Sequence, residues 1–176
     1  MSSEFQHWLQ GTQLEDCWRF WQSRRGENAI PIRRDIDPLN MPLRILPNLF
    51  IYERTPDARF RCRLFGSELC AKFAEDATGR YLDDMLPSNA RAKRLEIFST
   101  VLDQRRPAVY IGRLVATKRE WLSFRRLLLP VSSDGAVADL IFGMVVFPSV
   151  REGESFDAHA SEKVSAVAYA TDEDLA

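Results

Sequence analysis

One run near the end of the chain limits the fold more than any other feature. From Ala138 to Phe147, the residues Leu140, Phe142, Met144 and Val146 alternate with Ile141, Val145 and Phe147, so both faces of an extended segment are apolar. A strand of this kind needs cover on both sides and belongs inside a sheet packed between two layers. Two more strand-like runs precede it, Ala108 to Ala116 and Trp121 to Val131, joined by Thr117-Lys118-Arg119. Ser132-Ser133-Asp134-Gly135 brings an Asp-Gly turn signal before the third run, so the three form an antiparallel meander.

Two amphipathic helices can supply the cover. Ser88 is placed to cap the longer one, in which Leu95, Phe98, Val101 and Leu102 share a face, Arg91, Arg94 and Glu96 fall largely elsewhere, and Pro107 stops continuation. Near the front, Thr12 and Glu15 have capping-box spacing, and Leu14, Cys17, Trp18 and Trp21 recur at helical intervals, which predicts a helix over 13–23. Trp8, Trp18 and Trp21 offer roughly 450 to 750 Å² of aromatic surface at about 150 to 250 Å² each. Monomers rarely expose a patch above about 300 to 600 Å². Leu14, Trp18 and Trp21 are therefore expected on the chain's own sheet, with Trp8 and the remaining edge against a second copy in a homodimer.

Between these helices, Ala29 to Leu39 is rich in Pro and Arg and reads as an ordered connector. Asn48 to Arg54 and Phe60 to Phe65 read as a hairpin turning at Thr55-Pro56-Asp57-Ala58. Short helices fill the middle, with Gly66 and Gly79 expected at element ends where positive φ suits glycine. Arg63 and Asp76 are candidates for an ion pair. The last segment, Arg151 to Ala176, carries two basic and seven acidic side chains and reads as a solvated acidic tail. Val164, Val167 and Ala168 are spaced for one helical turn that could dock, which keeps an ordered alternative open. The expected organisation is residues 1–47 as helix and connector, 48–148 as core and 151–176 as tail.

Composition then excludes whole classes. At 176 residues the chain suits one domain, and a net charge of -1 provides no global field toward nucleic acid or an anionic membrane. Of the 24 basic residues 20 are Arg, which suits salt-bridged surfaces rather than a nucleic-acid reader. Cys17, Cys62 and Cys70 are an odd number without CxxC spacing and read as reduced thiols. With no signal-peptide pattern and no long apolar run, a cytoplasmic location is expected. Asp83-Asp84 is the nearest approach to a metal motif and reads as a solvated pair, and no Ser or Cys has a histidine partner for nucleophilic catalysis. The chain is therefore read as a non-enzyme without a metal.

Two strands, short helices, one longer helix and three strands make an α+β domain with a five-stranded antiparallel sheet, helices on one face and an additional N-terminal amphipathic helix. This order resembles the PAS fold. The chain resembles a family of small bacterial single-domain PAS proteins at Trp18 leading into Pro31, at Arg33-Arg34-Asp35-Ile36-Asp37-Pro38, at Leu46-Pro47, at Phe60 to Ser67, and at Asp76-Ala77-Thr78-Gly79-Arg80-Tyr81-Leu82. It departs from the pattern where a glycine is expected shortly before Asp76 and Phe73-Ala74-Glu75 stands instead.

The resemblance implies a pocket between the sheet and the short helices, for which Tyr81, Met85, Phe98, Tyr110, Phe124, Phe142 and Met144 are lining candidates and Arg113 and Ser123 polar anchors. Haem is not expected, because His7 and His159 lie in the terminal segments, away from the long helix that carries axial ligands in haem PAS proteins. The flavin photosensor subfamily's reactive cysteine is missing from Gly79 to Met85. No cofactor is expected, although the pocket leaves room for an unidentified small ligand. The implied function is a sensory or adaptor module that dimerises and modulates a separate signalling protein. Two alternatives are a small enzyme of ketosteroid-isomerase-like fold and an interaction module with a filled core.

Overall fold

The computed structural model describes residues 2–115, 121–148 and 162–176. Its strands are β1 (Leu49–Arg54), β2 (Phe60–Phe65), β3 (Ala108–Val115), β4 (Trp121–Ser132), β5 (Ala138–Val146) and β6 (Glu162–Tyr169). They form one sheet in the order β2-β1-β5-β4-β3-β6, with each neighbouring pair antiparallel. The helices are α1 (Glu4–Leu9), α2 (Gln13–Arg25), α3 (Ser67–Phe73), α4 (Leu82–Met85), α5 (Ser88–Asp103) and α6 (Asp172–Leu175).

The doubly apolar strand β5 lies between β1 and β4, and its two faces meet different layers. On one face Phe142 pairs with Ile51 and Leu129, and Met144 with Leu49 and Leu127. Helix α2 covers this side, with the Phe20 ring 6.2 Å from that of Phe142. On the other face Ile141 pairs with Tyr52 and Val145 with Arg126. Helix α5 covers that side, where the Phe98 ring meets Tyr52 at 5.6 Å and Phe60 at 5.3 Å. At Gly143 the backbone comes so close to its neighbour that a Cβ would fall 2.4 Å from the Phe50 ring, leaving room for glycine only.

The tryptophan stripe is absorbed within the chain. Leu14, Trp18 and Trp21 are buried, Trp18 stacks on Trp21 at 5.3 Å, and the Trp21 Nε1 donates a buried hydrogen bond to the Pro130 carbonyl at 2.9 Å. Gly11, at φ +70, turns α1 back so that Phe5 meets the Trp18 ring edge at 5.1 Å, while half-buried Trp8 packs on the same core and its carbonyl accepts from Arg125 at 3.0 Å. The expectation that this stripe leaves an edge for a second copy is therefore corrected: folding back of α1 covers it. The Thr12 hydroxyl accepts from the Leu14 amide as a cap, but Glu15 reaches the amide of Gly11 rather than that of Thr12.

Six strands replace the expected five, and the extra one comes from the segment read as a solvated tail. β6 pairs along β3, whose edge would otherwise present a row of unpaired backbone groups. The residues Glu162–Tyr169 carry two of the segment's nine charges, and Val164, Val167 and Ala168 are extended rather than helical. Helix α6 then ties the end of the chain to its beginning, with Asp174 accepting from Ser3 Oγ at 2.8 Å. Residues 149–161, including His159, lie outside the described residues.

Two further expectations change. Ser88 is the first residue of α5, with Pro87 as its N-cap and no side-chain capping bond. Gly79 has the positive φ expected of it (+85), but Gly66 does not: a Cβ there would lie 2.2 Å from the Pro47 carbonyl oxygen, so close packing requires the glycine. The position before Asp76 where glycine is missing falls at Ala74, which caps α3 at φ +52 and ψ +28, a left-handed conformation that a Cβ disfavours. Replacing Ala74→Gly is expected to stabilise the fold by about 1 kcal/mol, read as a higher urea midpoint. Replacing Trp21→Phe, which strands the Pro130 carbonyl in the core, is expected to cost about 1 to 3 kcal/mol in the same measurement.

Candidate functional site

A cavity of about 60 Å³ lies between the α5 face of the sheet and the short helices. Phe50 and Tyr52 of β1 and Val145 of β5 form its sheet side; Phe65, Leu69, Phe73, Ala77, Leu82, Met85 and Leu86 bring apolar groups from the end of β2 and from the region of α3 and α4. The loop at its rim is fastened to β2, where the Cys62 amide donates to the Arg80 carbonyl and the Gly79 amide to the Cys62 carbonyl, each at 2.8 Å. Glu75 is also on the rim and pairs with Arg80.

Two arginines complete the lining, Arg94 of α5 and Arg126 of β4. Both are buried, 8% and 3% exposed, in a protein layer where a lone charge would be costly. Their shared counter-charge is Glu162, the first residue of β6. Arg126 Nη1 donates to Glu162 Oε2 at 3.2 Å and also to the Tyr110 hydroxyl; Arg94 Nη1 lies 3.6 Å from Glu162 Oε2. The Tyr110 hydroxyl donates to Glu162 Oε1 at 3.4 Å. The Arg126 guanidinium also sits 5.0 Å from the Phe124 ring centre and 5.4 Å from that of Tyr110. The Nε atoms of both arginines are buried without a hydrogen-bond partner.

Burial pushes the Glu162 carboxyl upward, against the pull of Arg94 and the Tyr110 hydrogen bond. For Arg94 burial is the largest influence and opposes the charge, but Glu162, Tyr110 and Tyr52 together outweigh it and keep the guanidinium cationic. Burial also raises Tyr52 and Tyr110 and pushes the Cys62 thiol up to about 12, so these groups stay neutral at physiological pH. Cys17, Cys62 and Cys70 are free thiols, and buried Cys17 is raised in the same way.

Of the nine expected pocket residues, Met85 lines the cavity. Phe98, Tyr110 and Phe124 are buried on the correct side, beside the lining rather than in it. Phe142 and Met144 point to the α2 layer because strand residues alternate faces, and expecting them with Phe98 is corrected on that ground. Tyr81 lies half-buried on the outside under the Arg59 guanidinium, at 3.9 Å, and Arg59 also binds Asp83 and Asp84 at 2.9 and 2.8 Å, so that acidic pair is salt-bridged. Arg113 and Ser123 face each other across the β3–β4 ladder and are exposed, so neither is an anchor. Arg63 pairs with Glu53 at 3.6 Å, and Asp76 instead accepts from the Thr78 amide at 2.9 Å.

The buried charged groups at the cavity that the sequence reading did not single out are Arg94, Arg126 and their counter-charge Glu162. Arg126 had a signal: it falls between Phe124 and Leu128, on the inward alternation of β4. Arg94 had another, four residues after buried Ala90 and four before buried Phe98. Among the described residues no group of three or more His, Cys, Asp or Glu is placed to hold a metal ion, and no helix is long and apolar enough to cross a membrane.

A family model described as a PAS domain matches residues 10–146. The chain belongs to the PAS domain family. No curated protein matches it. The match includes Arg94, Tyr110 and Arg126 but ends before Glu162, so the counter-charge of this PAS domain's buried arginines comes from a strand beyond the matched span. Replacing Glu162→Gln leaves two buried guanidiniums without a carboxylate. It is expected to destabilise the protein by roughly 3 to 5 kcal/mol in urea unfolding.

Proposed function

We propose that this PAS domain is a non-catalytic sensory module that takes a small ligand in the cavity between α5 and the sheet and modulates a separate signalling protein by contact. One observation carries the reading. The cavity's two arginines share Glu162 on an edge strand as their counter-charge, so an event in the cavity has a direct electrostatic link to the periphery of the fold. A ligand that competes with Glu162 for the arginines would weaken the attachment of β6 and change the surface that β6 and α6 present. The reading includes no haem, flavin or metal. Its homodimer rests on the PAS resemblance, since the tryptophan stripe is used up inside the chain.

A second reading, an interaction module with no ligand, is favoured by the small size of the cavity, about 60 Å³. Native mass spectrometry of freshly purified protein separates the two and reports assembly state together with bound mass. A retained small molecule in a dimer is expected. A bare polypeptide, with hydrogen exchange in β6 unchanged on adding cell-extract metabolites, would favour the interaction module, and a monomer at tens of micromolar would remove the homodimer.

A further inference from the structure

The cavity has a charge imbalance as well as a shape. Arg94 and Arg126 bring two guanidiniums to its lining, and among the described residues the one carboxylate within reach, Glu162, is shared between them at 3.6 and 3.2 Å. Glu75, the acid on the lining itself, is engaged by Arg80. The buried centre therefore has a positive excess whether Glu162 is ionised or protonated. Both Nε atoms are buried and unpartnered, so the site retains donor capacity that the protein does not use.

The remaining walls define the rest of the ligand. Apart from the Tyr52 hydroxyl, these walls are apolar: Phe50, Leu69, Leu82, Met85 and Val145 offer no hydrogen bond, so an anion charged all round, such as phosphate, would leave oxygens facing hydrocarbon. A carboxylate is matched instead, because one end is a planar anion suited to guanidinium donors and the other end can be apolar. Size limits the tail. A volume of about 60 Å³ corresponds to roughly four to six water-sized positions at about 10 to 15 Å³ each. That is the scale of a carboxylic acid of two to four carbons.

We propose that the cavity binds a short-chain monocarboxylate, with the carboxylate held by Arg94 and Arg126 and the alkyl end among the apolar side chains. This rests on reading the cavity as a ligand site and specifies the ligand's chemical class. Glu162 is then the internal competitor: it occupies the arginines when the ligand is absent and is repelled when the ligand enters.

The test titrates purified protein with sodium butyrate, butyramide and sodium phosphate at matched ionic strength, following thermal unfolding and calorimetric binding. Butyrate is expected to raise Tm by on the order of 5 °C near saturation, while butyramide and phosphate leave it unchanged. Arg94→Gln, which leaves a balanced Arg126–Glu162 pair, is expected to weaken butyrate at least tenfold. Glu162→Gln, measured where circular dichroism shows it folded, is expected to tighten butyrate several-fold. If butyramide binds as well as butyrate, the cavity remains a ligand site and the carboxylate assignment is overturned. If phosphate matches butyrate with the same dependence on Arg94, the apolar end has no role and the assignment is likewise overturned. If none of the three binds, the carboxylate assignment is overturned, and the ligand-site reading falls with it only where the native mass spectrum also shows a bare polypeptide.

Discussion

Two-sided burial of β5 is the constraint from which the rest of the architecture follows. A strand with Phe142 and Met144 on one face and Ile141 and Val145 on the other has no solvent side, so the sheet must be roofed twice. Helix α5 and the short helices form one roof and the α1–α2 hairpin the other. The second roof consumes the aromatic stripe that the first part of the chain carries, and the hydrogen bond from Trp21 to the Pro130 carbonyl anchors it to β4. Burying the aromatics inside the chain leaves few large apolar residues exposed among the described residues; these are Leu39, Leu43 and Val137.

The two roofs differ in chemistry. Against α2 the sheet offers hydrocarbon, from Leu49, Ile51, Leu127 and Leu129. Against α5 it offers Arg126 and Tyr110 among the aromatic rings, and α5 adds Arg94. A buried ionic cluster contributes little net stability compared with an apolar replacement, since desolvation offsets much of the attraction. It lies on one side only, the side on which the cavity lies. The family match and the cavity agree in location, both lying within the segment that spans the hairpin, α5 and the meander.

Glu162 connects this centre to the end of the chain. It opens β6, which closes the β3 edge, and it is followed by α6, which returns to α1 through Asp174 and Ser3. Removing this segment would uncover a strand edge and two arginines together. The C-terminal residues are thus part of the site as well as part of the sheet, although their overall acidity resembles that of a solvated extension.

Much of the fold was legible in the sequence because it rests on local periodicity. Phe60 to Phe65, the Asp134-Gly135 turn, the 3.6-residue spacing of Leu14, Trp18 and Trp21, and the alternation in β5 are short-range patterns, and the elements formed where they predict. The site was less legible. Which strand face meets α5 depends on pairing register, so Phe142 and Met144 could not be separated from Phe98 before the sheet was assembled. Arg94 and Arg126 are 32 positions apart and Glu162 another 36 beyond, and each alone resembles an ordinary surface charge. Only tertiary packing, which removes all three from water and thereby makes their pairing obligatory, shows that they act together. The same holds for β6: its own residues pattern weakly, and the free edge of β3 decided its conformation.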